Sequence, residues 1–260
     1  MSRTTDKDFG TPKVISDKHV TLRIDGKSIT VPEGTSVMRA AAELDINIPS
    51  LCATDRVKAF GSCRLCLVEI NGRKGMPASC HTLVEDGMDV STQTDKVNKL
   101  RKHIMELYIS DLPFNAVTCS DNGDSELYNV AKDLEITKSR YGSDGQNHLN
   151  AEKDESTPYF TFDPSQCIVC SRCVRACEDV QGTFALTVSG RGFDSKITAS
   201  DNKSFMDSEC VSCGECVDVC PTGALMEKTT LEQGIGNREI EKRTKVTIVF
   251  CIRYAINAIK

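Results

Sequence analysis

Two stretches decide the reading of this 260-residue chain: Cys167-Ile168-Val169-Cys170-Ser171-Arg172-Cys173-Val174-Arg175-Ala176-Cys177 and Cys210-Val211-Ser212-Cys213-Gly214-Glu215-Cys216-Val217-Asp218-Val219-Cys220-Pro221. Both spell C-x2-C-x2-C-x3-C, and a proline follows the second at once. Three cysteines in so short a loop are too crowded for the paired knuckles that structural zinc usually takes. They suit a cubane, because one tight loop then reaches three corner irons and the fourth iron needs a cysteine from elsewhere. In chains with two such clusters, the last cysteine of each run ligates the other cluster. The spacing therefore predicts one [4Fe–4S] cluster on Cys167, Cys170, Cys173 and Cys220, and a second on Cys210, Cys213, Cys216 and Cys177.

Working outward, Cys52, Cys63, Cys66 and Cys80 form a third set, C-x10-C-x2-C-x13-C. In Phe60-Gly61-Ser62-Cys63-Arg64-Leu65-Cys66, small residues stand where backbone must wrap closely around sulfur. Wrapping turns N–H groups toward the sulfurs, which tunes a cluster's potential. This set reads as a [2Fe–2S] site. The plain alternatives are four buried structural thiols or a zinc ion. Of the 14 cysteines, Cys119 and Cys251 belong to none of the three sets.

Composition sets the outer bounds. Thirty-two basic and 37 acidic side chains give a net charge of −5, which argues against nucleic acid as the main partner. At 39% hydrophobic residues the chain is not a disordered one. No run approaches the roughly 18 apolar residues of a membrane span, and Val246–Ile252 is strand-sized. The N-terminus lacks the apolar core of a secretory signal. Thiolates awaiting iron need a reducing environment, so the expectation is a cytoplasmic protein without a membrane span.

The organisation reads as an α+β chain. Residues 1–17 are expected to be a flexible tail. Residues 18–97 carry a hairpin, His19–Ile24 and Ser28–Val31 around Asp25-Gly26, then a helix over Thr35–Leu44 and strands near Leu65–Ile70 and Met88–Thr92. This is a β-grasp ferredoxin layout. Residues 98–157 hold the rest of an amphipathic helix, Asp95–Ile109, with Val97, Leu100, Ile104 and Leu107 as its apolar stripe. A polar bridge follows, with a short helix near Ser125–Leu134. His103 reads as a solvated or capping residue rather than a ligand. Residues 158–230 alternate cysteine loops with short helices, Arg172–Val180 and Glu215–Val219, and a β-like insertion, Thr183–Ala199, turning at Gly190-Arg191-Gly192. Residues 231–260 form a C-terminal tail whose stretch Val246–Lys260 is apolar enough to need a partner surface.

A β-grasp [2Fe–2S] module, a bridge and a two-cubane module in that order resemble a known group. It includes the large iron–sulfur subunit of respiratory NADH dehydrogenase, the diaphorase iron–sulfur subunit of bidirectional hydrogenases, and the N-terminal region of the alpha subunit of soluble NAD-dependent formate dehydrogenases. The run DESTPYFTFDPSQCIVCSRCVRACEDVQGTFALTVSGRGFDSKI, Asp154–Ile197, is similar to the last almost throughout. The resemblance implies an electron-transfer subunit or fragment between a formate dehydrogenase-type centre and a flavin- and NAD-binding subunit, with a separate molybdenum- or tungsten-pterin catalytic subunit as a further partner. A diaphorase subunit of a hydrogenase is the alternative within that class. A non-redox metal-binding remnant or interaction protein is the alternative outside it. No G-x-G-x-x-G follows a strand and no P-loop is present, so the chain is not expected to be catalytic alone.

Two departures from the group stand out. The group usually carries another cluster on H-x3-C-x2-C-x5-C within the bridge, where this chain has Leu112, Ala116, Cys119 and Ser125. This degenerate site is expected to be empty. Where formate dehydrogenases open a pterin domain with C-x2-C-x3-C, this chain has Cys251, Tyr254 and Ala258 before Lys260. It therefore reads as ending before any pterin domain, whether as a stand-alone subunit or a truncated one.

Overall fold

The structure, a computed structural model, describes residues 7–112, 125–136, 140–141 and 147–229. Ala116, Cys119, Cys251, Tyr254 and Ala258 lie outside the described residues, as does the C-terminal tail.

Strand β1 (His19–Ile24) pairs antiparallel with β2 (Lys27–Pro32), from His19↔Pro32 to Ile24↔Lys27. The turn needs positive φ at both central residues, and Asp25 (φ 48°) with Gly26 (φ 80°) supplies it. Helix α1 (Val37–Glu43) crosses the sheet, started by Ser36, whose hydroxyl accepts from the Arg39 N–H at 3.1 Å. Two short strands, β3 (Glu69–Ile70) and β4 (Asp89–Ser91), complete a sheet of order β2-β1-β4-β3 in which β1 and β4 run parallel. Alternation along β1 and β2 sends Leu22, Ile24 and Val31 inward onto Val37, Ala40 and Ala41 of the helix. Residues 7–11, within the predicted tail, are fastened to this module. The Lys7 ammonium pairs with Asp45, Arg39 donates to the Thr11 carbonyl at 2.6 Å, and the Thr11 hydroxyl meets that of Ser36 at 2.7 Å.

The predicted strand Leu65–Ile70 shortens to its last two residues. Its earlier backbone groups are committed elsewhere: the Leu65 and Leu67 carbonyls accept from Arg101, and the Cys66 carbonyl accepts from the Ser79 N–H.

Helix α2 spans Asp95–Ser110, capped by Thr94. The predicted stripe is rotated. Val97, Arg101 and Met105 are the buried positions, while Leu100 and Leu107 are 38% and 54% exposed. An apolar pattern cannot announce an arginine on the inner face, and Arg101 is only 1% exposed. Helix α3 (Glu126–Asp133) is capped by Ser125 and lays Leu127, Val130 and Ala131 on Met105 and Leu112.

In the second module β5 (Phe160–Phe162) pairs antiparallel with β8 (Leu225–Glu227). Strands β6 (Leu186–Ser189) and β7 (Lys196–Ala199) form the predicted insertion hairpin. Phe205 packs edge-on against Phe160 and Phe162, with ring centroids 5.1 and 5.8 Å away. The predicted helix Arg172–Val180 is one turn, α4 (Arg172–Arg175), widening into a π-helical stretch over Ala176–Gln181. Such widenings concentrate at functional sites, and here it carries Cys177. Helix α5 (Glu215–Asp218) is the matching turn of the second run. No helix among the described residues is long and apolar enough to cross a membrane.

Candidate iron–sulfur centres

Cys52, Cys63, Cys66 and Cys80 are all buried. The loop bringing them together bends through left-handed residues at Gly61 (φ 73°) and Arg64 (φ 59°). Its N–H groups face sulfur: Leu51 donates to Cys63 Sγ and Cys63 donates to Cys52 Sγ, each at 3.4 Å. The thiols interact in a chain, Cys63–Cys52–Cys80–Cys66. Hydrogen bonds from Cys63 and Cys80 hold the Cys52 thiol far below its ordinary range, while Cys63 and Cys80, as donors to Cys52, are pushed far above theirs. The hydrogen bond with Cys80 lowers Cys66 to about 7. Four gathered thiols cannot all ionise unaided, because each thiolate opposes the next. Bound iron would supply the missing positive charge.

The first seven residues of the two runs share a backbone. Val169 and Ser171 adopt φ of 51° and 60°, and their counterparts Ser212 and Gly214 adopt 53° and 84°. In both loops the second residue after the leading cysteine donates its N–H back to that sulfur, Val169 to Cys167 and Ser212 to Cys210, at 3.4 Å. A β-branched residue at positive φ is uncommon, and here it turns an N–H onto a sulfur.

Cys177, the last cysteine of the first run, lines a cavity with cysteines of the second. Cys220 acts electrostatically on the thiols of Cys167, Cys170 and Cys173, and also on that of Cys216. Cys177 acts on Cys210, Cys213 and Cys216, and these four line one cavity with Phe160, Leu186 and Phe205. Burial pushes Cys167 and Cys170 up to about 12, and Cys173 and Cys216 well above their ordinary range. These are soft sulfur donors held where protein alone does not favour the thiolate, which fits them to a cationic iron–sulfur core. Among the described residues, no three His, Cys, Asp or Glu side chains converge on a single metal ion. A cluster does not require such convergence, since each cysteine holds its own iron.

The bridge positions that are described do not fit a further cluster. Leu112, 2% exposed, packs among Leu51, Leu65, Met105 and Leu127. Ser125 caps α3 through the Tyr128 N–H at 3.3 Å and donates to the Pro221 carbonyl at 3.4 Å. His103, on α2, is half-buried.

Three arginines escaped the sequence reading. Arg101 binds the carbonyls on either side of Cys66, Leu65 at 3.0 Å and Leu67 at 2.8 Å. Arg172 joins the Ala53 carbonyl (2.6 Å) to Glu126 (3.0 and 2.9 Å) and the Val219 carbonyl (3.3 Å). Arg175 reaches the Cys52 carbonyl at 2.7 Å. A signal did exist: the run with Cys167 carries Arg172 and Arg175 where the run with Cys210 carries Glu215 and Asp218. The charge reversal has a spatial meaning. The loop after Cys52 receives both arginines on its carbonyls and sends Arg56 to both acids, Glu215 at 2.8 Å and Asp218 at 3.6 Å. Ser62 also donates to the Cys170 carbonyl at 3.4 Å, and Cys52, Cys63 and Cys170 share one buried cluster.

Comparison with known proteins follows this division. Residues 17–95 match a 2Fe-2S iron-sulfur cluster binding domain, and residues 157–226 match the ferredoxin-like domain of NADH-quinone oxidoreductase subunit 3. The chain is similar to subunit HndD of the NADP-reducing hydrogenase of Solidesulfovibrio fructosivorans, with 38% identity over 213 residues, 80% of this chain and 36% of the relative. It is similar to the alpha subunit of an NADPH-Fe(3+) oxidoreductase of Geobacter sulfurreducens, with 38% identity over 210 residues, 80% of this chain and 24% of the relative. The chain thus spans only about a quarter to a third of the length of these curated relatives. A chain of a solved NAD+-reducing [NiFe]-hydrogenase, in its H2-reduced state, superposes with a TM-score of 0.73 at 31% identity, covering 80% of this chain and 87% of that one. The chain belongs to the iron–sulfur subunit family of NADH-quinone oxidoreductases and NAD(P)-linked hydrogenases.

Proposed function

We propose that this chain is an electron-transfer subunit or segment holding one [2Fe–2S] and two [4Fe–4S] clusters, on the three cysteine sets named above. Iron–sulfur clusters, when bound, supply one-electron transfer. The chain's own residues hold the ligand loops, direct N–H groups at sulfur and exclude water. The observation that carries this reading is the contact between the Cys52 loop and the Cys170 loop across the module boundary, made through Arg175 and Ser62. Two sites that merely stored metal would not need their ligand loops in contact, whereas conduction depends on short separations.

A flavin- and NAD-binding subunit is the proposed partner at one end. For the other end, the Asp154–Ile197 run supports a formate dehydrogenase-type centre on a pterin-bearing partner. The hydrogenase relatives support a hydrogen-oxidising one. Adding each candidate donor enzyme with its substrate to the reconstituted chain separates the two, since only the cognate donor reduces the clusters quickly.

Anaerobic reconstitution is expected to load about ten iron atoms per chain, two in one centre and four in each of the others. The measurement is iron analysis beside Mössbauer and EPR spectra. A count near fourteen would mean that the bridge holds a further cubane despite Leu112 and Ser125. A colourless protein loaded with zinc would overturn the electron-transfer reading altogether.

A further inference from the structure

Arg175 is buried, and its guanidinium is bound by backbone alone. It donates to the carbonyls of Cys52 (2.7 Å), Lys58 and Ser171 (3.2 Å), with the Phe60 ring 5.7 Å away. Among the described residues no carboxylate lies within ion-pair distance of it. The neighbouring arginines differ: Arg172 is neutralised by Glu126, and Arg56 by Glu215 and Asp218. Carbonyl oxygens satisfy donors but do not cancel a net charge, the carboxylate of Asp179 acts on it less than Cys52 and Cys170 do, and a buried cation without an ion-pair partner is costly. Its position shows what offsets the charge. One end of the guanidinium rests on a ligand of the first cysteine set, Cys52, while Nε binds the residue after Cys170, a ligand of the second. Each four-thiolate cluster carries about −2 when oxidised and one more negative charge when reduced.

We propose that Arg175 is the shared counter-charge of the two adjoining centres, a fixed cation that raises the reduction potential of both. This rests on the ligand assignment proposed above. Reduction adds negative charge on either side of the guanidinium, so a cation there favours the reduced form at both sites. Arg101 binds the carbonyls flanking Cys66 of the first set and none in the second module, so it belongs to one centre. The residue matching Arg175 in the second run is Asp218, so the second cubane lacks this device.

The test is a redox titration of the full reconstituted chain, following each centre by EPR, in wild type, Arg175→Gln and Arg175→Lys. Arg175→Gln is expected to lower the equilibrium constant for reduction at least tenfold at both the [2Fe–2S] centre and the adjoining cubane, 59 mV for a one-electron couple. The second cubane should move much less. Arg175→Lys keeps the charge on a shorter, unforked side chain, and both midpoints should fall together by a smaller amount. Unchanged midpoints in variants that retain full iron, or movement of one adjoining centre alone, would overturn the proposal. If Arg175→Gln does not retain its clusters, Arg175→Lys decides by the same criterion of joint movement. A wild-type chain that assembles no clusters would instead refute the ligand assignment, so the two failures are distinguishable.

Discussion

Replacing Cys177 with alanine is expected to remove the cluster held by Cys210, Cys213 and Cys216, and to spare the one held by Cys167, Cys170 and Cys173, its neighbours in sequence. Iron content should fall from about ten to about six atoms per chain, because a cubane contributes four. The Cys177 thiol lies in the cavity lined by Cys210, Cys213 and Cys216, and accepts from the Ala185 N–H at 3.3 Å. Cys220 acts electrostatically on Cys167, Cys170 and Cys173. EPR spectra of the reduced variants give the assignment. Cys177→Ala should match Cys216→Ala and differ from Cys170→Ala. A Cys177→Ala spectrum matching that of Cys170→Ala would show that each run keeps its own fourth ligand.

The second large effect is expected at Arg172. This side chain is 2% exposed and ties three parts of the chain: Ala53 in the β-grasp module, Glu126 in the bridge and Val219 in the second run. Arg172→Met keeps much of the volume but leaves Glu126 facing a buried apolar chain, and strips the Ala53 carbonyl of this donor. Leaving a buried group unsatisfied typically costs about 1–3 kcal/mol, and the carbonyls of Ala53 and Val219 lose this donor together with Glu126. Anaerobic urea unfolding, followed by far-UV circular dichroism, should show a midpoint well below that of wild type. The companion Arg172→Met/Glu126→Gln should recover part of the loss, because no carboxylate is then left facing the methionine. A single variant as stable as wild type would mean that packing by α3, through Leu127 and Val130, holds the modules together without the arginine.

These expectations separate what was legible in the chain from what was not. The grouping of the cysteines into a 2Fe–2S region and a ferredoxin-like region was readable because ligand spacing is a property of a short loop. The Asp25-Gly26 hairpin was readable because its turn chemistry is local. So were the extents of α2 and α3, whose caps Thr94 and Ser125 accept from N–H groups three residues on. At the family level the motif order pointed to the iron–sulfur subunits that the comparisons also reach, while the formate dehydrogenase reading stays a proposal.

Tertiary structure alone decided the inner face of α2 and the meaning of the charges inside the cysteine runs. Periodicity placed Leu100 and Leu107 inward, yet Arg101 takes that surface because carbonyls of the distant Cys66 loop await a donor there. Likewise no local pattern assigns partners to Arg172, Arg175, Glu215 and Asp218. Each has a partner more than a hundred residues away, on the loop between Cys52 and Ser62. Local spacing specifies which atoms a loop offers to a metal. Which buried charge meets which carbonyl depends on how two modules are pressed together, and that depends on long-range packing that no short motif encodes.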